Sequence, residues 1–216
     1  MLKRLFILRW HGWRQFIRDF AVIQIGFLLF GISIAMMVKA NLGTTPWVVL
    51  EVALTHNLPI TLGQATIVVA MVIVLVDVLL TQPLGWGTLA NMLSIGLWVD
   101  WVMPFVPIIP AAWWIQVPYL LASTVVMGFA TAIYVGVNAG AGPRDSLMLA
   151  ISRKAKVSVR VARMVIEVAV VVIGWLLGGP LGVGTVLFAL AIGPAVQFAF
   201  RLLHVKPIQP LPIDEP

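Results

Sequence analysis

The chain has 216 residues, 61% of them hydrophobic and only 10% charged, with a net charge of +6 at neutral pH. A mean hydropathy of +1.05 excludes a water-soluble globule, because a core of this size cannot hide so much apolar surface from water. The lack of cysteine excludes disulfides, thiolate metal sites and cysteine nucleophiles. The positive charge comes with no DNA- or RNA-binding motif, since the basic residues bracket apolar runs, so no nucleic-acid partner is expected.

In chain order, residues 1–19 interleave Lys3, Arg4, Arg9, Arg14 and Arg18 with Leu5, Phe6, Trp10, Trp13, Phe16 and Ile17. That pattern predicts a basic amphipathic helix lying at a membrane interface and leading into the first span; the simpler alternative is a solvated basic tail. A cleaved signal peptide is not predicted, because no small-residue cleavage site follows. Residues 20–38, "FAVIQIGFLLFGISIAMMV", carry no charge. As a helix this run spans about 28 Å, close to the roughly 30 Å of a hydrocarbon core. Similar runs cover 62–80, 87–105, 113–137, 161–178 and 185–200. The reading is an all-α polytopic membrane protein with about six transmembrane helices, divided into a first membrane repeat (20–106), a second (107–204) and a Pro-rich tail (205–216). Trp98, Trp101, Trp113 and Trp114 flank the central "PFVPIIPAAWW" as interface anchors should.

An internal repeat underlies that division. Asn41-Leu-Gly-Thr-Thr-Pro46 aligns with Asn138-Ala-Gly-Ala-Gly-Pro143 at an offset of 138 − 41 = 97. The same offset carries Gly31 to Gly128, Leu50 to Leu147, Thr61 to Ser158, "PLGWGT" at 83–88 to "PLGVGT" at 180–185, and Ile95-Gly96 to Ile192-Gly193. The segments from Pro46 to His56 and from Pro143 to Lys154 are too short to cross a bilayer, at roughly 16–18 Å as helix. With Pro at their first helical position they read as two short re-entrant half-helices. Three crossings per unit would invert the second copy relative to the first. Arg153, Lys154, Lys156, Arg160 and Arg163 then mark the cytoplasmic side, while the equivalent "THNLPITLGQ" lacks Lys and Arg. Both termini would be cytoplasmic as well. A parallel pair of units with eight crossings also places 153–163 inside, so both arrangements stay open.

Irregular backbone inside a bilayer is tolerated where protein or a water-filled cavity surrounds it, so both breaks are expected to face the bundle interior. Half-helix N-termini there would favour an anionic or carbonyl-bearing guest. The candidate substrate-binding residues are Asn41, Gly43, Pro46, Asn138, Gly140, Gly142, Pro143, Arg144 and Asp145, with Arg163, Glu167 and Glu51 in support. The competing reading gives the Gly and Pro residues a packing role alone. Glu167, inside an apolar span, needs a partner; Arg163 one turn earlier and Arg144 at longer range are the candidates. Glu51, Asp77 and Asp100 are placed where a carboxylate reaches water. His11, His56 and His204 show no metal-ligand spacing, and no catalytic motif is visible, so neither enzymatic activity nor a cofactor is expected.

Through "GTTPW", "GAGPRDSLM", "VARMVIEV", "GWLLGGPLGVGTVLFALAIGP" and Gln197, the chain resembles the YczE/YitT-type family of bacterial integral membrane proteins from about Gly26 to Gln197. The resemblance implies a bacterial inner-membrane location. Members of that family often carry Pro-Trp-Asp in the first copy, where Val48 follows Trp47 here, leaving Asp145 alone of the two symmetry-related acids. Beyond the bilayer itself, a small-molecule solute and a protein partner are both open. The leading functional expectation is a transporter or permease-like protein for a small anionic solute. The alternatives are a non-transporting scaffold or accessory factor for a biosynthetic enzyme, and a substrate-binding subunit of a multi-component transporter.

Overall fold

The computed structural model describes residues 6–7 and 12–205. They form eight helices: α1 (Trp13–Ala40), α2 (Pro46–Asn57), α3 (Leu62–Leu79), α4 (Trp86–Val102), α5 (Trp113–Gly136), α6 (Pro143–Ala155), α7 (Val159–Leu176) and α8 (Val183–Leu202). Four of these, α1, α3, α5 and α8, are long and apolar enough to cross a membrane. Helix α4 is shorter, with 17 residues, and α7 carries Arg160, Arg163 and Glu167.

The helix ends follow local chemistry. Asn41 and Asn138 close α1 and α5 in left-handed conformation, a geometry asparagine tolerates better than most side chains. Pro46 and Pro143 open α2 and α6, where a missing N–H costs nothing. Thr61 and Ser158 cap α3 and α7 through their hydroxyls. The starts of α2 and α6, of α3 and α7, and of α4 and α8 are each 97 residues apart (143 − 46, 159 − 62, 183 − 86).

The N-terminal expectation needs correcting. Phe6–Ile7 is an extended pair of residues, β1, running parallel to β2 (Leu84–Gly85), and α1 begins at Trp13. From there α1 runs unbroken into the apolar run, so residues 13–19 belong to the first long helix. Phe16 and Phe20 meet Trp86 with ring centroids 5.0 and 6.4 Å apart, which fastens this end of α1 to the foot of α4. Residues 1–5, 8–11 and the tail from 206 lie outside the described residues.

Helices α1 and α5 form the central pair and run antiparallel. Gln116 at the start of α5 donates to Ala40 O at the end of α1 (2.9 Å), and Ser33 donates to Ser123 O at mid-length (2.7 Å). Small residues set the close approaches: Gly31 lies against Trp98 of α4, Gly128 against Ala195 of α8, and Gly63 against Gly96. In lipid, where apolar side chains gain nothing by leaving solvent, such contact and buried hydrogen bonds hold helices together. The short helices cross between the halves, with α2 packed on α7 and α6 on α3. Their shared apolar cluster includes Trp47, Val69, Ile73, Leu147, Ile166 and Val170.

Of the four predicted interface tryptophans, Trp101, Trp113 and Trp114 are widely exposed. Trp98 instead turns inward and donates from Nε1 to Gln24 Oε1 at 2.8 Å.

Candidate functional site

Each break is held by the helix that follows the next apolar span of the other half. At the first, Gly184 N donates to Leu42 O (2.7 Å), and at the second Gly87 N donates to Ala139 O (3.0 Å). Gly43 and Gly140 both take positive φ, and both abut backbone: a Cβ on Gly43 would come within 2.8 Å of Gly182 N, and one on Gly140 within 2.9 Å of Gly85 Cα. Only glycine suits either position. Asn41, the cap of α1, and Asn138, one residue past the cap of α5, are exposed, whereas Pro46, Gly142 and Pro143 are buried.

The two breaks differ in how their hydroxyls are used. Thr88 donates to Ala141 O at 2.6 Å and accepts from Gly85 N. The hydroxyl of its counterpart Thr185 is buried with no hydrogen-bond partner among the described residues, as is that of Thr44.

The half-helices meet at Arg144. From the second position of α6 its guanidinium forms an ion pair with Glu51 in the middle of α2, and lies 5.1 Å from the ring centroid of Trp47. Glu51 is 0% exposed, while the Arg144 side chain keeps 29% of its surface. The other carboxylate oxygen of Glu51 accepts from Thr66 of α3 at 2.9 Å. A fully buried carboxylate is thereby held by a guanidinium from α6 and a hydroxyl from α3, with the Trp47 ring of α2 against the guanidinium. Asp145 points elsewhere and accepts from Tyr134 of α5 at 2.8 Å, in an exposed position.

Two carboxylate expectations are overturned. Glu51 does not reach water, because its whole side chain is enclosed where α2 meets α3 and α6. Nor does Asp77, which is 0% exposed and has no hydrogen-bond partner on either oxygen among the described residues. Its counterpart, 97 residues on, is Gly174, where a Cβ would meet the α2 backbone at Leu50 (2.7 Å). Asp100 behaves differently again: it caps α3 from α4, accepting from Thr61 Oγ1 (2.5 Å) and Gly63 N (2.8 Å). Arg144 is also not the partner of Glu167. That carboxylate accepts from Arg163 one turn earlier at 2.8 Å, an i,i+4 pair on a more exposed face.

Two cavities lie away from these residues. One of about 370 Å³ is lined by Gln15, Arg18, Asp19 and the end of α5. The other, about 570 Å³ and almost wholly apolar, is lined by Leu28, Ile32, Met36 and Trp101 with Tyr119. Neither is lined by a residue of either break.

A helical bundle with four helices apolar enough to span a bilayer, broad apolar outer faces and an ion pair on a fully buried carboxylate is a membrane protein. The chain belongs to a family described as "Family of unknown function (DUF6198)", whose profile matches residues 17–201. It is similar to an uncharacterized protein of Haemophilus influenzae, 32% identical over 195 residues that cover 90% of this chain and 89% of the relative. It is also similar to the uncharacterized membrane protein YczE of Bacillus subtilis, 31% identical over 201 residues covering 92% and 88%. A third relative is YyaS of the same organism, uncharacterized, 25% identical over 193 residues covering 84% and 88%. No solved structure matches the chain.

Proposed function

We propose that this is a permease-like protein of the bacterial inner membrane that moves a small anionic solute past the junction of α2 and α6. The observation that carries the proposal is the link across the two breaks: Arg144, at the start of one half-helix, holds Glu51 of the other and stands beside Trp47. A carboxylate or phosphate group competes for the same guanidinium fork, and the partial exposure of Arg144 leaves it open to such an exchange. Gly43, Pro46, Gly142 and Pro143 shape the approach, with Asn41, Asn138, Gly140 and Asp145 at its edges.

In this reading the chain crosses six times, through α1, α3, α4, α5, α7 and α8, as two oppositely oriented units. The antiparallel course of the counterpart helices α1 and α5 supports inversion, as does the exchange of half-helices between the two halves. With Arg153, Lys154, Lys156 and Arg160 on the cytoplasmic side, both termini are cytoplasmic.

Proteoliposomes carrying the full chain test the proposal with radiolabelled small carboxylates and phosphate monoesters, set against small cations. Saturable uptake of an anion, lost in Arg144→Gln and kept in Arg163→Gln, supports it. Uptake indifferent to Arg144 overturns the assignment. A cellular function lost on removing residues 1–18 but untouched by Arg144→Ala points instead to an accessory factor.

A further inference from the structure

Helices α3 and α4 pack closely, Gly63 against Gly96, with Asp100 capping the junction. The residues 97 positions on, in α7 and α8, do not repeat this. No comparable packing joins α7 to α8, and among the described residues Gly193, the counterpart of Gly96, has nothing within 4 Å of where a Cβ would be. The sequence builds the opening in. Arg160 stands where Gly63 stands, and a side chain there is incompatible with the close α3–α4 approach, while Gln197 replaces the capping Asp100. Met164, the counterpart of Ile67 at that contact, is 58% exposed.

The chain leading into α7, beside this gap, is strongly basic. Between residues 146 and 166 there are five cations, Arg153, Lys154, Lys156, Arg160 and Arg163, and no carboxylate. Arg163 is engaged by Glu167. Lys156 and Arg160 are exposed on either side of the α7 N-terminus, whose own dipole adds to the positive field. The short link from α7 to α8 brings the exposed Arg201, near the end of α8, to the same membrane face.

We propose that the α7–α8 cleft is a binding site for an anionic phospholipid, with its headgroup phosphate on Lys156 and Arg160 and an acyl chain along Met164 and Gly193. A basic mouth over an apolar slot between helices complements a phosphodiester carried on a hydrocarbon tail. The site does not depend on the transport reading.

Native mass spectrometry of the full chain, released from a neutral detergent with phosphatidylglycerol, cardiolipin or phosphatidylcholine added, reads the preference directly. The two anionic lipids should be retained over phosphatidylcholine. Lys156→Gln with Arg160→Gln should weaken that retention by about thirtyfold, two headgroup charges at roughly 1 kcal/mol each. Gly193→Leu, which fills the slot, should also displace lipid, and Arg163→Gln should not. Each charge variant made singly should give an intermediate loss, with thermal unfolding in neutral detergent checking the fold. Equal retention of anionic and zwitterionic lipid overturns the proposal. So does a dimer whose formation Gly193→Leu abolishes, since a second copy would then fill the cleft.

Discussion

Removing the two partners of the central ion pair should have unequal consequences. In Arg144→Gln the carboxylate of Glu51, 0% exposed, keeps only the Thr66 hydroxyl, and one oxygen loses its cation. Breaking a buried pair from one side costs about 3–5 kcal/mol, and the partial exposure of the arginine puts this case near 3. In Glu51→Gln the stranded group is Arg144, whose side chain is already 29% exposed and can turn toward water, so the loss should be near 1 kcal/mol. The double variant should lose only about 2 kcal/mol rather than the additive sum of about 4, a coupling of about 2 kcal/mol. Reversible unfolding in mixed dodecyl sulfate and maltoside micelles, followed by circular dichroism, measures all four proteins. Two equally mild single losses that simply add in the double variant would refute the reasoning.

The paired positions of the two halves allow matched tests on the same unfolding assay. Gly96→Ala should cost about 2 kcal/mol or more, because its Cβ meets Gly63 O and the Ile67 side chain, whereas Gly193→Ala, in open space, should change stability by less than about 0.5. Thr88→Val should lose about 1–2 kcal/mol with its bond to Ala141 O, and Thr185→Val, whose hydroxyl has no partner, should be neutral or stabilising. Asp77→Asn should raise stability or leave it unchanged, since both oxygens of this buried carboxylate lack partners; a loss above about 1 kcal/mol would show that its charge is stabilised in the fold.

Much of the helical layout was legible because backbone chemistry marks it. The Asn-x-Gly-x-x-Pro runs end one helix and start the next wherever they occur, and the 97-residue spacing reproduces the helix starts on both sides. Facing was not legible. A single hydrophobic run fixes depth along a helix, yet in lipid both the buried and the outer faces are apolar, so no periodicity tells Glu51 or Asp77 that it points inward. The local pair Arg163–Glu167 could be read from its four-residue spacing, but Arg144–Glu51 joins residues 93 apart. One signal did exist for it. Val48 stands 97 residues before Asp145, and Glu51 lies one helical turn further along α2. At the N-terminus, amphipathic spacing predicted helix where Phe6–Ile7 pairs with Leu84–Gly85, a contact that depends on where α4 begins.

The two half-helices meeting at Arg144 are proposed to come from oppositely oriented units, and labelling their far ends tests that most directly. The chain has no cysteine, so Asn57→Cys at the end of α2 and Lys154→Cys near the end of α6 each give a single thiol without background. A membrane-impermeant maleimide added to intact cells should modify residue 57 freely and residue 154 only after the membrane is opened. Modification of both from the same side would contradict the inverted arrangement.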